Sequence, residues 1–142
     1  MNEQTIIMTW PDHARLTELV EKQRYKKESF DAEAFKRLAG ELARARLVAS
    51  EDIPPDVVTM NSELRVRDLD SSELLTFTLS WPDTASPANG RINVLAPLGM
   101  ALLGCRVGQD VEWPVPGGMR RLCVEEVLYQ PEHHAPRLEA RR

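Results

Sequence analysis

The chain has 142 residues, 42% of them apolar, and a formal net charge of −4, which allows one modest core with a small appendage. No apolar run approaches the roughly 20 residues of a membrane helix, and the N-terminus lacks a secretory signal pattern, so we expect a cytoplasmic protein without a membrane partner. Residues 51–142 hold nine Lys and Arg against fourteen Asp and Glu, which argues against direct sequence-specific binding to nucleic acid and favours a protein partner.

Residues 1–52 show the periodicity of a short helical hairpin. Thr9 is a candidate N-cap with Pro11 in the first turn, and a helix is predicted to follow as far as Gln23. A second helix is predicted over residues 31–49, because apolar residues recur there at spacings of three and four: Phe35, Leu38, Leu42, Ala45 and Ala49. This narrow stripe is typical of a coiled coil, so we expect the two helices to pair in antiparallel fashion.

The segment between the two helices is the predicted hairpin tip, a candidate contact surface of mixed charge formed by Tyr25, Lys26, Lys27, Glu28, Phe30 and Asp31. Glu28 and Asp31 could offer two carboxylates to a Mg²⁺ ion shared with a partner. We favour the simpler interpretation, in which Asp31 caps the second helix and Glu28 is solvated. No metal site is therefore predicted.

A β-rich domain is predicted over residues 53–131, after the Pro54-Pro55 linker. Strict alternation of apolar and polar residues from Leu75 to Trp81 gives the clearest strand signal. A short apolar helix is expected to begin at Pro97, and Pro116-Gly117-Gly118 predicts a hairpin turn before the last strand. Residues 132–142 are expected to form a flexible tail.

The sequence carries no recognisable catalytic or cofactor motif. It has no Gly-rich phosphate loop, and Cys105 and Cys123 do not form a Cys-x-x-Cys pair. His133 and His134 are adjacent, so they cannot share a helix face as metal ligands do. We therefore predict a binding protein without a cofactor and without enzymatic activity.

An ordered set of segments spans residues 53–131: PPDVVTMNS at 54–62, APLGMALLG at 96–104, RVGQD at 106–110, PGG at 116–118 and YQP at 129–131. This set resembles the C-terminal domain of the bacterial Gre transcript-cleavage factors. The whole chain resembles their shorter relatives, the Rnk family of regulators of nucleoside diphosphate kinase. The resemblance implies an α+β protein, with a short antiparallel helical hairpin followed by an FKBP-like antiparallel β-domain.

The resemblance also implies a function. Gre factors dock on RNA polymerase at the mouth of its secondary channel, and their long coiled coil carries an acidic tip that helps to place catalytic Mg²⁺. Rnk relatives have a short coil and are expected to bind polymerase without promoting cleavage. The chain is thus expected to be a polymerase-binding transcription regulator that competes with Gre factors. Its link to nucleoside diphosphate kinase is expected to be indirect.

Two departures from the Gre pattern bear on this expectation. Where Gre factors carry Asp-Ser-Pro in the polymerase-contacting segment, this chain has Leu95-Ala96-Pro97, so docking through Leu95, Ala96, Pro97 and Leu98 would be apolar. The tip residues 25–31 also lack the strongly acidic Gre motif. The resemblance therefore implies docking without cleavage.

Two alternatives remain open. An FKBP-like fold is shared with peptidyl-prolyl isomerases, which need an aromatic-lined pocket. The aromatic residues of the β-domain, Phe77, Trp81, Trp113 and Tyr129, are more simply core or sheet residues. The other alternative is direct binding to the kinase.

Overall fold

The computed structural model describes residues 5–24 and 32–133. The chain divides into two compact units, and the boundary between them in the sequence falls between Ile53 and Pro54. Within the described residues, no helix has the length and apolar character that a membrane span requires.

The first unit consists of two helices and two short strands. Strand β1 (Ile7–Thr9) leads directly into helix α1 (Trp10–Arg24), and helix α2 (Ala32–Ala43) is followed by strand β2 (Arg46–Val48). The predicted N-cap is confirmed, because the Asp12 backbone N–H donates to Thr9 Oγ1 at 3.4 Å. His13 near the start of α1 donates from Nε2 to the Leu42 carbonyl near the end of α2 at 2.9 Å, which places the helices antiparallel.

The second helix is shorter than predicted. It ends at Ala43, so Ala45 and Ala49 are not helical, and residues 46–48 form β2 instead. The physical reason is a parallel pairing with β1, which sets Ile7 opposite Arg46 and Thr9 opposite Val48. Of the predicted stripe, Leu38 and Leu42 are buried, as are Leu16 and Val20 of α1.

The second unit is a five-stranded sheet with one short helix. Its strands are β3 (Glu63–Asp68), β4 (Leu74–Ser80), β5 (Arg91–Asn93), β6 (Asp110–Val115) and β7 (Gly118–Tyr129). Their order in the sheet is β5-β4-β3-β7-β6. Helix α3 (Pro97–Leu102) packs against β6. The inward-facing residues Leu64, Val66, Leu79, Leu122 and Val124 are buried and form the centre of the core.

The expectation of a wholly antiparallel sheet is wrong at one edge. Strand β5 pairs with β4 in parallel, with Thr78 opposite Arg91 and Ser80 opposite Asn93. Parallel neighbours need a connection that carries the chain back. Two 3-10 turns, Pro82–Thr84 and Pro87–Asn89, provide it between the two strands.

A buried carboxylate ties the β3–β4 loop to the β6–β7 hairpin. The Asp68 side chain is 3% exposed and pairs with Arg120, while its Oδ1 accepts the backbone N–H groups of Asp70 at 2.8 Å and Ser71 at 3.1 Å. The hydrogen bond from Arg120, followed by these two backbone hydrogen bonds, lowers the pKa of Asp68 below its usual range. Folding therefore favours the ionised form of this carboxyl group.

The Asp68→Asn variant is expected to melt at a lower temperature than the wild type at pH 7, because it loses the ion pair with Arg120. The wild-type advantage is present above the ordinary aspartate pKa of about 3.9. It should be lost as the pH falls through the lower folded-state pKa. Thermal unfolding between pH 7 and pH 2.5 measures this, with the exposed Asp70→Asn variant as a control. A difference in melting temperature that does not change with pH would contradict the account.

Candidate functional site

The predicted docking segment, Leu95 to Leu98, connects strand β5 to helix α3. Leu95 and Ala96 lie in the turn after β5, and Pro97 and Leu98 begin α3. All four residues are half-buried, whereas Val94 just before them is fully buried. Leu95 is therefore not a strand core residue. The segment presents partly accessible apolar side chains on a well-anchored backbone.

Hydrogen bonds from Asn93 fix the start of the docking segment. Asn93 Oδ1 accepts the Leu95 backbone N–H at 2.8 Å, and the Asn93 carbonyl oxygen accepts the Ala96 N–H at 2.9 Å. The buried residue between them, Val94, donates its N–H to the Ser80 carbonyl at 2.9 Å. The bond from the Leu95 N–H to Asn93 Oδ1 closes an Asx turn, in which the side-chain oxygen of asparagine takes the place of a backbone carbonyl oxygen.

Gly99 lets helix α3 approach the end of β5 closely. A Cβ atom at this position would lie 2.1 Å from the Asn93 carbonyl oxygen and 2.7 Å from Val94 Cα. Both atoms belong to the backbone, so neither can rotate away. The predicted apolar helix at Pro97 is confirmed, and its close packing depends on the absence of a side chain at Gly99.

Ala96 occupies the N-cap position of α3. Its backbone is extended, at φ −80° and ψ 158°, and it makes no side-chain capping bond. A Ser or Asp at an N-cap normally accepts a backbone N–H, which alanine cannot do. The apolar character expected of this segment thus extends to the helix terminus.

Two segments that carry the Gre resemblance contact each other. Gln130 Nε2 donates to the carbonyl oxygens of Pro54 at 2.9 Å and Val57 at 2.8 Å. Thr59 Oγ1 donates to Glu132 Oε1 at 2.8 Å. Residue 132 was expected to begin the flexible tail, and residues 134–142 of that tail lie outside the described residues. The signal in the sequence was a polar residue, Gln130, directly after the last strand and before Pro131.

The two cysteines are not placed as nucleophiles. Cys105 is buried, and its Sγ donates to the Ala101 carbonyl at 3.1 Å. Burial, together with a hydrogen bond to Asp110, raises the pKa of the Cys123 thiol. A raised pKa reduces the thiolate fraction at neutral pH, and thiolate is the reactive form.

The hairpin tip predicted to hold Tyr25, Lys26, Lys27, Glu28, Phe30 and Asp31 lies outside the described residues. Within residues 5–24 and 32–133, no group of three or more His, Cys, Asp or Glu side chains is arranged to hold a metal ion.

Comparison with known proteins identifies relatives for both units. The family model "Transcription elongation factor, GreA/GreB, C-term" matches residues 53–129, and the model "Rnk N-terminus" matches residues 4–48. The regulator of nucleoside diphosphate kinase from Escherichia coli K12 is 41% identical over 133 residues, which cover 93% of this chain and 95% of that protein.

Elongation factors are also similar. Transcription elongation factor GreA from Thermodesulfovibrio yellowstonii is 36% identical over 90 residues, covering 63% of this chain and 57% of that protein. The solved structure of a prokaryotic transcription elongation factor GreA/GreB from Nitrosomonas europaea superposes with a TM-score of 0.74 at 39% identity, covering 89% of this chain and all of that one. The chain therefore belongs to the Rnk family of GreA/GreB-related regulators.

Proposed function

We propose that this protein, a Gre-related regulator, binds RNA polymerase near the secondary channel through its docking segment and competes there with Gre factors without stimulating transcript cleavage. The observation that carries the proposal is the half-buried apolar turn at Leu95–Leu98 on a fold similar to a solved elongation factor. The FKBP-like description of the β-domain is part of this proposal.

The docking segment has the physical character of an interface centre. Its apolar side chains keep part of their surface in water, and burying that surface against a partner contributes about 25 cal/mol per Å². Its backbone is held by Asn93 and by the close packing of Gly99, so little ordering is required on binding. An apolar centre with few charges is typical of stable protein interfaces.

The short length of the helical hairpin argues against stimulation of transcript cleavage. Helix α1 has 15 residues and α2 has 12. At 1.5 Å per residue these span about 22 and 18 Å, and α2 is shorter than the roughly 28 Å expected for residues 31–49. A hairpin of this size should stop near the channel entrance if the β-domain docks in the Gre manner. Lys26 and Lys27 are adjacent to Glu28 in the sequence, and their positive charges oppose the binding of a further cation, Mg²⁺, at the tip.

A stalled elongation complex with Mg²⁺ and saturating protein is therefore expected to show no shortened transcripts, while a Gre factor added in parallel shortens them. The tip carboxylates are expected to be dispensable, so the Glu28→Ala, Asp31→Ala double variant should behave like the wild type. Glu18→Ala on the exposed face of α1 is a matched carboxylate control. Cleavage by the wild type that disappears in the double variant, but not in Glu18→Ala, would show an active tip and overturn the non-enzyme interpretation.

Two other functions have separate tests. The isomerase alternative predicts catalysis of prolyl isomerisation in a tetrapeptide assay. In this structure Trp81 is buried, and Phe77, Trp113 and Tyr129 are half-buried within or beside the sheet.

The name of the Escherichia coli relative motivates the second alternative, direct binding to nucleoside diphosphate kinase. Equilibrium binding with the purified kinase tests it.

A further inference from the structure

Asn93 is the last residue of a three-residue edge strand, and it also makes several contacts with the docking segment. Its side-chain oxygen accepts the Leu95 N–H, and its carbonyl oxygen accepts the Ala96 N–H. The same carbonyl is the atom nearest to the missing Cβ of Gly99, at 2.1 Å. One residue thus meets both the turn and the first part of helix α3.

The conformation of the turn depends on Asn93, because the neighbouring residues offer few other groups that can form hydrogen bonds. Ala96 at the N-cap position has no side-chain oxygen, and Pro97 has no backbone N–H. Strand β5 has only three residues and lies at an edge of the sheet. Without the Asn93 side chain, the Leu95 N–H would lose its acceptor and the turn would be free to adopt other conformations.

We propose that Asn93 is a positioning residue, which holds Leu95 and Ala96 in the backbone conformation that the partner recognises. This inference rests on the proposed function, since the partner surface is the polymerase site. Asn93 acts through the docking segment and need not touch the partner itself. A turn that is ordered before binding loses less conformational freedom in the complex, so the loss of Asn93 should lower affinity.

The test compares Asn93→Ala with Asn93→Asp, which keeps an acceptor oxygen at the same reach. Asn89→Ala is the matched control, because Asn89 makes an exposed local bond to Ser86 in a different turn. We expect Asn93→Ala to bind polymerase about tenfold more weakly, and Asn93→Asp and Asn89→Ala to bind like the wild type. If Asn93→Ala does not fold, Asn93→Val, which suits a strand and lacks the acceptor, replaces it.

A second readout does not depend on polymerase. Hydrogen exchange at the Leu95 amide, measured by NMR, should accelerate in Asn93→Ala and recover in Asn93→Asp. The Val94 amide, which bonds to the Ser80 carbonyl, should change little and serves as an internal control. Unchanged exchange at Leu95 would overturn the positioning role, whether or not polymerase binds. Unchanged affinity in Asn93→Ala, with wild-type binding intact, would also overturn it. Failure of the wild type to bind would refute the proposed function and remove polymerase as the partner of this turn, while the exchange measurement would still decide whether Asn93 holds the Leu95 backbone.

Discussion

Replacing Gly99 with alanine is expected to lower the free energy of unfolding by about 3 kcal/mol or more, at the upper end of what overpacking costs. The added Cβ would lie 2.1 Å from the Asn93 carbonyl oxygen, far inside van der Waals contact. The Cβ position is fixed by the backbone of α3, and the carbonyl oxygen belongs to the backbone of β5, so relief requires α3 to move away from β5. Chemical denaturation of the full chain, followed by circular dichroism, measures the change.

Gly40→Ala is the matched control, with an expected effect of opposite sign. Gly40 lies inside helix α2, and the nearest atom to a Cβ there is the Arg44 side chain at 3.7 Å. Alanine in a helix interior is more favourable than glycine by about 1 kcal/mol. If Gly99→Ala were as well tolerated as Gly40→Ala, the close packing of α3 on β5 would be wrong.

Leu95→Asp is expected to weaken polymerase binding well beyond tenfold while leaving the fold intact. The side chain is half-buried in a turn, so the free protein can keep a carboxylate there in water. In the proposed complex, the same carboxylate would have to lose its hydration without gaining a partner. Binding of the labelled protein to purified core polymerase measures the effect.

Leu74→Asp provides the comparison for Leu95→Asp. Leu74 is an exposed apolar residue, 47% accessible, at the start of β4 and outside the docking segment. The Leu74→Asp variant should bind polymerase like the wild type. Circular dichroism of both variants separates weakened binding from unfolding. Equal binding of Leu95→Asp and the wild type would remove the segment from the interface.

Local patterns in the sequence predicted those elements whose signals are also local. The Thr9 cap, the helix at Pro97 and the Pro116–Gly118 turn each depend on a few adjacent residues, and each is found. Strands β1 and β2 were missed because each has only three residues and is defined by a partner almost 40 positions away. The alanine spacing at 45 and 49 imitated a continuing helix, which the parallel pairing overrode.

The candidate site could be located from the sequence but not explained by it. Its position came from the resemblance of APLGMALLG to the Gre segment. The role of Asn93 depends on a turn geometry that one short polar residue does not reveal, since Asn occurs in many kinds of turn. The contact of Gln130 with Pro54 likewise joins residues 76 positions apart.

The most direct test of the central claim is displacement of a fluorescently labelled Gre factor from RNA polymerase, followed by anisotropy as the unlabelled protein is added. We expect the anisotropy to fall to that of the free Gre factor, and to fall at the same concentrations with the Glu28→Ala, Asp31→Ala variant. With Leu95→Asp, we expect the fall to require more than tenfold higher concentrations. An anisotropy that stays unchanged at saturating wild-type protein would contradict a shared docking site.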